Sequence, residues 1–136
     1  DTPSITATLE GKYTLVMDQD PNEVTATTYV RKVRAGAIGT SQIICTGTPA
    51  DPLTETGPAT GAHDYQWQSS PDNAAWADID GATSPAYSPG VLTATTYFRR
   101  AAINASCGRA NSDPVCITVS PCVAPVNPHL RARVTN

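Results

Sequence analysis

One nine-residue phrase occurs twice in this chain. Val24-Thr25-Ala26-Thr27-Thr28-Tyr29-Val30-Arg31-Lys32 and Leu92-Thr93-Ala94-Thr95-Thr96-Tyr97-Phe98-Arg99-Arg100 lie 68 residues apart. Six positions are identical, Thr25/Thr93 through Tyr29/Tyr97 and Arg31/Arg99, and the other three are conservative changes. Self-similarity at a fixed spacing marks an array of related units. The phrase is rich in Thr and aromatics, which suits a β-strand. Roughly 35 residues precede Ala37, too few for a complete first unit of ordinary domain size. The spacing therefore predicts the end of a preceding repeat, or a strand-donating segment, over 1–35. A complete unit is expected over 36–121, and a Pro-rich linker or extra strand over 122–136. The 136 residues allow this much, one domain plus a fragment. The chain opens Asp1-Thr2-Pro3-Ser4, with no charged-then-apolar leader, and reads as a piece excised from a longer protein.

The second unit parses into short strands. Ala37-Ile38 and Gln42-Ile43-Ile44-Cys45 give an early strand or pair of strands, and Leu53-Thr54 a short one. Tyr65-Gln66-Trp67-Gln68 alternates aromatic and polar, as a half-buried strand does. Trp76-Ala77-Asp78-Ile79 alternates again, and Asp80-Gly81 turns the chain. Ser84 to Ser88 contains Pro85 and is expected at an edge. Thr95 to Ile103 is the longest strand candidate, Asn104 to Asp113 a polar turn region, and Val115 to Val119 the last strand. No segment carries a helical period. Seven or so short strands with regular turns predict an all-β sandwich.

Composition removes several function classes. Net charge is −3 and only 15% of residues are charged, too little for a basic nucleic-acid footprint. No run of 18 apolar residues exists, so no helix is expected to span a membrane. The four cysteines, Cys45, Cys107, Cys116 and Cys122, lack the CxxC spacing of zinc sites. An even count in a short, turn-rich chain predicts disulfides and an oxidising compartment. Four cysteines allow three pairings, and spacing does not choose among them.

The order of residues resembles an immunoglobulin-like sandwich. Trp67 stands where the buried Trp of the third strand stands, and Tyr97 opens the long strand at the tyrosine-corner position. Two residues after that Tyr the usual Cys is replaced by Arg99, so the inter-sheet disulfide of that fold is absent and something else must tie the sheets. Further phrases sharpen the likeness: Gln42 to Gly47, Ala59-Thr60-Gly61, Tyr65 to Asn73, Trp76, Ile79 to Ser84, and Leu92 to Arg100. Together, over roughly residues 36–119, they resemble the immunoglobulin-like repeats of giant surface adhesins of gliding bacteria, the SprB type. The resemblance implies a Cys45–Cys107 disulfide. Cys116 and Cys122 depart from that pattern and would be left to pair with each other.

No catalytic constellation is apparent. His63 and His129 sit in no motif that would place an imidazole beside a Ser or Cys nucleophile. No cofactor is expected. Asp18, Asp20 and Asn22 alternate as calcium-loop ligands do, but position six is Glu23 and position twelve is Tyr29, so they form at most a weak calcium candidate beside the plainer reading of a solvated turn. Trp76 and Phe98 are candidate glycan contacts, set against the plainer reading of core aromatics. If Tyr97 points inward, Phe98 and Arg100 face outward and Arg99 lies on the core side. Asn104-Ala105-Ser106 is a sequon whose plain reading is a hairpin turn.

The leading expectation is a non-enzymatic repeat module of an extracellular, cell-surface adhesin or filament, of the kind the resemblance links to gliding motility. Its partners would be neighbouring repeats or subunits, joined in part by strand pairing, and surface glycans. The second expectation is a carbohydrate-binding or spacer module of a large secreted enzyme. Residues 24–34 are expected to form a strand paired with residues of 36–136 or with another subunit.

Overall fold

Residues 11–17, 24–62 and 64–122 are described by the structure, a computed structural model of the chain. Ten β-strands and no helix form there. The first two stand apart as a hairpin. Strand β1 (Gly11–Met17) pairs antiparallel with β2 (Val24–Val30) from Gly11↔Val30 to Met17↔Val24. The first copy of the repeated phrase is therefore a strand, as expected. Its partner is β1, however, in a stretch that does not match the repeat. Among the described residues, pairing with 36–136 begins at Arg34, which bridges Thr60.

The remaining strands build an immunoglobulin-like β-sandwich. One layer runs in the order β4 (Gln42–Cys45), β10 (Val115–Ser120), β8 (Thr96–Asn104), β6 (Asp64–Ser70), β7 (Ala77–Asp78), with β9 (Gly108–Asn111) alongside β8. The facing layer is smaller. It contains β3 (Ala37–Ile38) against β5 (Glu55–Gly57), extended by a bridge in which Leu53 and Tyr87 exchange backbone hydrogen bonds of 2.8 and 3.0 Å. Strand β9 falls in the stretch expected to be turn. Its Gly-Arg-Ala-Asn sequence has no β-branched residue, and pairing with the long strand β8 outweighs that weak propensity.

The core lies between the layers. Ile38 and Leu53 descend from one side and Trp67, Phe98, Val115 and Ile117 from the other. Tyr87 is sandwiched among the aromatics, its ring centroid 5.6 Å from that of Trp67 and 5.8 Å from that of Phe98. Trp67 is fully buried, and its indole N–H donates to the Ser84 carbonyl at 2.8 Å, so the polar end of the ring is satisfied. A second cluster packs Val33 and Ala35 against Ala102 of β8. At Gly36 the backbone has φ +69°, and any Cβ would collide with the Gly57 carbonyl and the Pro58–Ala59 backbone.

The tie between the sheets is Arg100. Its side chain is fully buried, reaching from β8 into the facing layer. Nη2 donates to Glu55 Oε2 of β5 at 2.7 Å and to the Ala35 carbonyl at 3.1 Å. Nη1 donates to the Pro85 carbonyl at 2.7 Å, and the guanidinium lies 4.3 Å from the Tyr65 ring centroid. Burial of a guanidinium is tolerable only with such partners.

The disulfide joins Cys45 to Cys122, with Cα atoms 5.2 Å apart. This corrects the expected Cys45–Cys107 pairing and leaves Cys107 and Cys116 as thiols. The reason is topological. Strand β4 lies parallel to β10 with Cys45 opposite Ser120, which delivers Cys122 to Cys45. Cys107 sits instead at the exposed tip of the β8–β9 hairpin.

Candidate outer-face site

The register of β8 decides what the outer face carries. Phe98 and Arg100 point into the core, so Tyr97 and Arg99 point out. This reverses the expectation of an inward Tyr97, and it removes Phe98 as a glycan contact. The physical reason is plain. Phe98 brings no hydroxyl into the core, and Tyr87 already fills the neighbouring aromatic position. Tyr97 instead pairs across the strands with Ser70 and Cys116 on the outer side. Its hydroxyl is pushed above the usual tyrosine range, chiefly by the negative charge of Cys116 when ionised, then by the hydrogen bond to Cys116 and by burial. Its register places it on the face away from the core, not at an inward tyrosine corner.

Directly opposed residues in antiparallel strands share a face, so each register row is also a row of neighbouring side chains. The row after Ser70–Tyr97–Cys116 is Asp78–Gln68–Arg99, and it is joined by hydrogen bonds. Gln68 Nε2 donates to Asp78 Oδ1 at 2.6 Å, while Arg99 Nε donates to Gln68 Oε1 at 2.7 Å. The amide of Gln68 is thus fixed in one orientation between a carboxylate and a cation. Arg99 also stacks over Trp76 with Cζ 4.2 Å from the ring centroid. Trp76 is half-buried, at the entry to β7. A further row places Arg109 opposite Ile103, and Arg109 reaches back to Asp78 Oδ1 at 3.6 Å. Arg109 Nε donates to Asn111 Oδ1 at 3.4 Å. Burial, followed by the nearby charge of Arg109, pulls the Arg99 guanidinium below its ordinary value, and Asp78 opposes this.

The outer face therefore gathers Trp76, Tyr97, Arg99, Arg109, Gln68 and Asp78. Of the sequence candidates, Trp76 is at this site and Trp67 is in the core. Arg99 was expected on the core side, and Gln68 and Arg109 carried no expected role. Alternation from an inward Trp67 already puts Gln68 outward, whereas Arg109 lies in the strand that propensity hides. Asp18, Asp20 and Asn22 lie outside the described residues, as do His63 and His129. Among the described residues no three His, Cys, Asp or Glu side chains come together as a metal site, and no helix is long and apolar enough to cross a membrane.

A family model matches residues 34–121, well over half of the chain. The chain belongs to that family, the domain of unknown function DUF8696. The DUF8696 match starts at Arg34, the first residue bridged to Thr60, and ends just before Cys122. It thus spans the sandwich and leaves the β1–β2 hairpin outside. No curated protein matches the chain.

Proposed function

We propose that this chain is a non-enzymatic repeat module of an extracellular surface adhesin or filament. The observation that carries the reading is the repeated phrase, whose first copy lies mostly in β2 and whose second enters β8 only from Thr96 onward, Leu92 to Thr95 forming the bend before it. A chain built of repeated sequence units acts through number and spacing, because many weak contacts multiply by avidity. The disulfide is compatible with an oxidising, extracellular setting. The likeness to SprB-type repeats extends the proposal to gliding bacteria, and the β1–β2 hairpin is a candidate for strand pairing with a neighbouring unit.

The reading is tested with beads carrying the full chain at low and high density, driven by flow over bare glass and mucin-coated glass. Retention that rises steeply with density supports it. Beads that wash away at every density on both surfaces end it.

A second reading, a carbohydrate-binding or spacer module of a large secreted enzyme, is favoured by one observation: Trp76 is half-buried on the outer face among polar groups. Flanking sequence separates the two. More copies of this unit support the first, and an adjoining hydrolase domain supports the second.

A further inference from the structure

The outer-face cluster is locally cationic. The protein carries net charge −3, yet here two guanidiniums flank one carboxylate. Arg99 is prearranged. Gln68 holds its Nε and Trp76 supports its plane, and among the described residues its hydrogen bonding goes through Nε alone. Its terminal Nη1–Nη2 edge is the edge that grips a carboxylate through two parallel bonds. Arg109 is 40% exposed and only loosely tied to Asp78, so it can close on the same anion at little cost. Trp76 and Tyr97 add half-buried aromatic surface within the same patch. Aromatic surface beside fixed amide and carboxylate groups is the pattern that takes a sugar ring, with its apolar face stacked and its hydroxyls hydrogen-bonded.

We propose that this face binds a carboxylate-bearing saccharide, with Arg99 and Arg109 on the carboxylate, Trp76 against the ring, and the exposed Asp78 on a hydroxyl, while buried Gln68 holds Arg99 in place. The inference deepens the adhesive reading and rests on it only for its biological setting.

The test is calorimetric titration of the full chain with oligogalacturonate, dextran sulfate and neutral dextran. Oligogalacturonate is expected to bind, and neutral dextran is not. Arg109→Gln, at an exposed position, and Trp76→Ala are each expected to weaken binding at least tenfold while the melting temperature stays within a few degrees of wild type. Arg99→Gln is expected to do the same. Absence of oligogalacturonate binding overturns the proposal. So does equal binding of neutral dextran, or binding that is confined to dextran sulfate and indifferent to Trp76→Ala, which is charge capture alone. Bead retention separates this inference from the adhesive reading. Arg109→Gln beads that stick as wild type does, from a chain that fails to bind oligogalacturonate, sink the saccharide site and leave adhesion standing. Wild-type beads that never stick, from a chain that binds oligogalacturonate, sink adhesion and leave the site.

Discussion

Tension applied between the ends of this chain meets the Cys45–Cys122 bond before it can reach most of the sandwich. The bond spans a sequence separation of 77 residues, and strands β5 to β10 lie inside the loop it closes. A fully extended chain gains about 3.3–3.6 Å per residue, so opening that loop releases roughly 250–275 Å of length. While the bond is intact, its ends stay 5.2 Å apart at Cα and that length is unavailable. The perturbation is Cys122→Ser, or reductant added to wild type. The assay is single-molecule stretching of the full chain between handles at its two ends. Oxidised wild type is expected to show no step of roughly 250 Å, whereas Cys122→Ser and reduced wild type each show one. Cys107→Ser and Cys116→Ser are expected to behave as oxidised wild type. A step of that size in oxidised wild type, or its appearance on Cys107→Ser, refutes the topology and the mechanical reasoning with it.

Three other outcomes follow from the same structure. Closing a loop of this length removes unfolded-state entropy worth about 4.5 kcal/mol in the chain-entropy account, so Cys122→Ser should lower the melting temperature by about 20–35 °C; a loss under about 1 kcal/mol in urea unfolding contradicts that account. Gly36→Ala is expected to cost about 1–3 kcal/mol, because a side chain must enter both a left-handed backbone and the Gly57–Ala59 backbone, and a neutral result in the same assay argues against that close approach. Glu55 is held below the ordinary carboxylate range, chiefly by the hydrogen bond from Arg100, and Asp72 by the backbone N–H groups of Ala75 and Ala74 and then the Ser70 hydroxyl. Their folded values lie below their unfolded ones. The stability they add is present above the ordinary carboxylate value of about 4 and is lost as pH falls below it. Unfolding followed from pH 7 to pH 2 should show a shallower acid limb in Glu55→Gln and Asp72→Asn, and an unchanged limb removes both groups from the account.

The sandwich was legible where alternation is unambiguous. Tyr65 to Gln68, Trp76 to Ile79 and Val115 to Val119 each carry a clear pattern, and strands β6, β7 and β10 formed there. Strand β8 was legible as a strand but not in its facing. Tyr97 and Phe98 are adjacent aromatics, and a strand must send one to each side. The choice depends on Tyr87, distant in sequence, which supplies the third core ring. The outer-face site inherits that ambiguity, since a one-residue change of facing exchanges Arg99 for Arg100. The disulfide was illegible for a different reason. A parallel pairing between the first and last strands of the main sheet leaves no local mark in either segment.

The departure at Arg99 posed a specific problem: the related fold uses a Cys there to fasten its two sheets. The structure answers it one residue later. Arg100 spans the same gap from β8 to β5 with an ion pair and two carbonyl contacts, while the covalent bond has moved to the sandwich margin at Cys45 and Cys122. The two fastenings resist different stresses. The pair of buried Arg100 with the more exposed Glu55 joins the layers, but it needs Glu55 ionised and weakens in acid. A marginal disulfide adds nothing to layer registry, yet it limits how far the chain can be drawn out and is indifferent to acid. The covalent link thus sits at the margin of the sandwich and the polar link where its layers meet, so reductant opens the one and acid loosens the other.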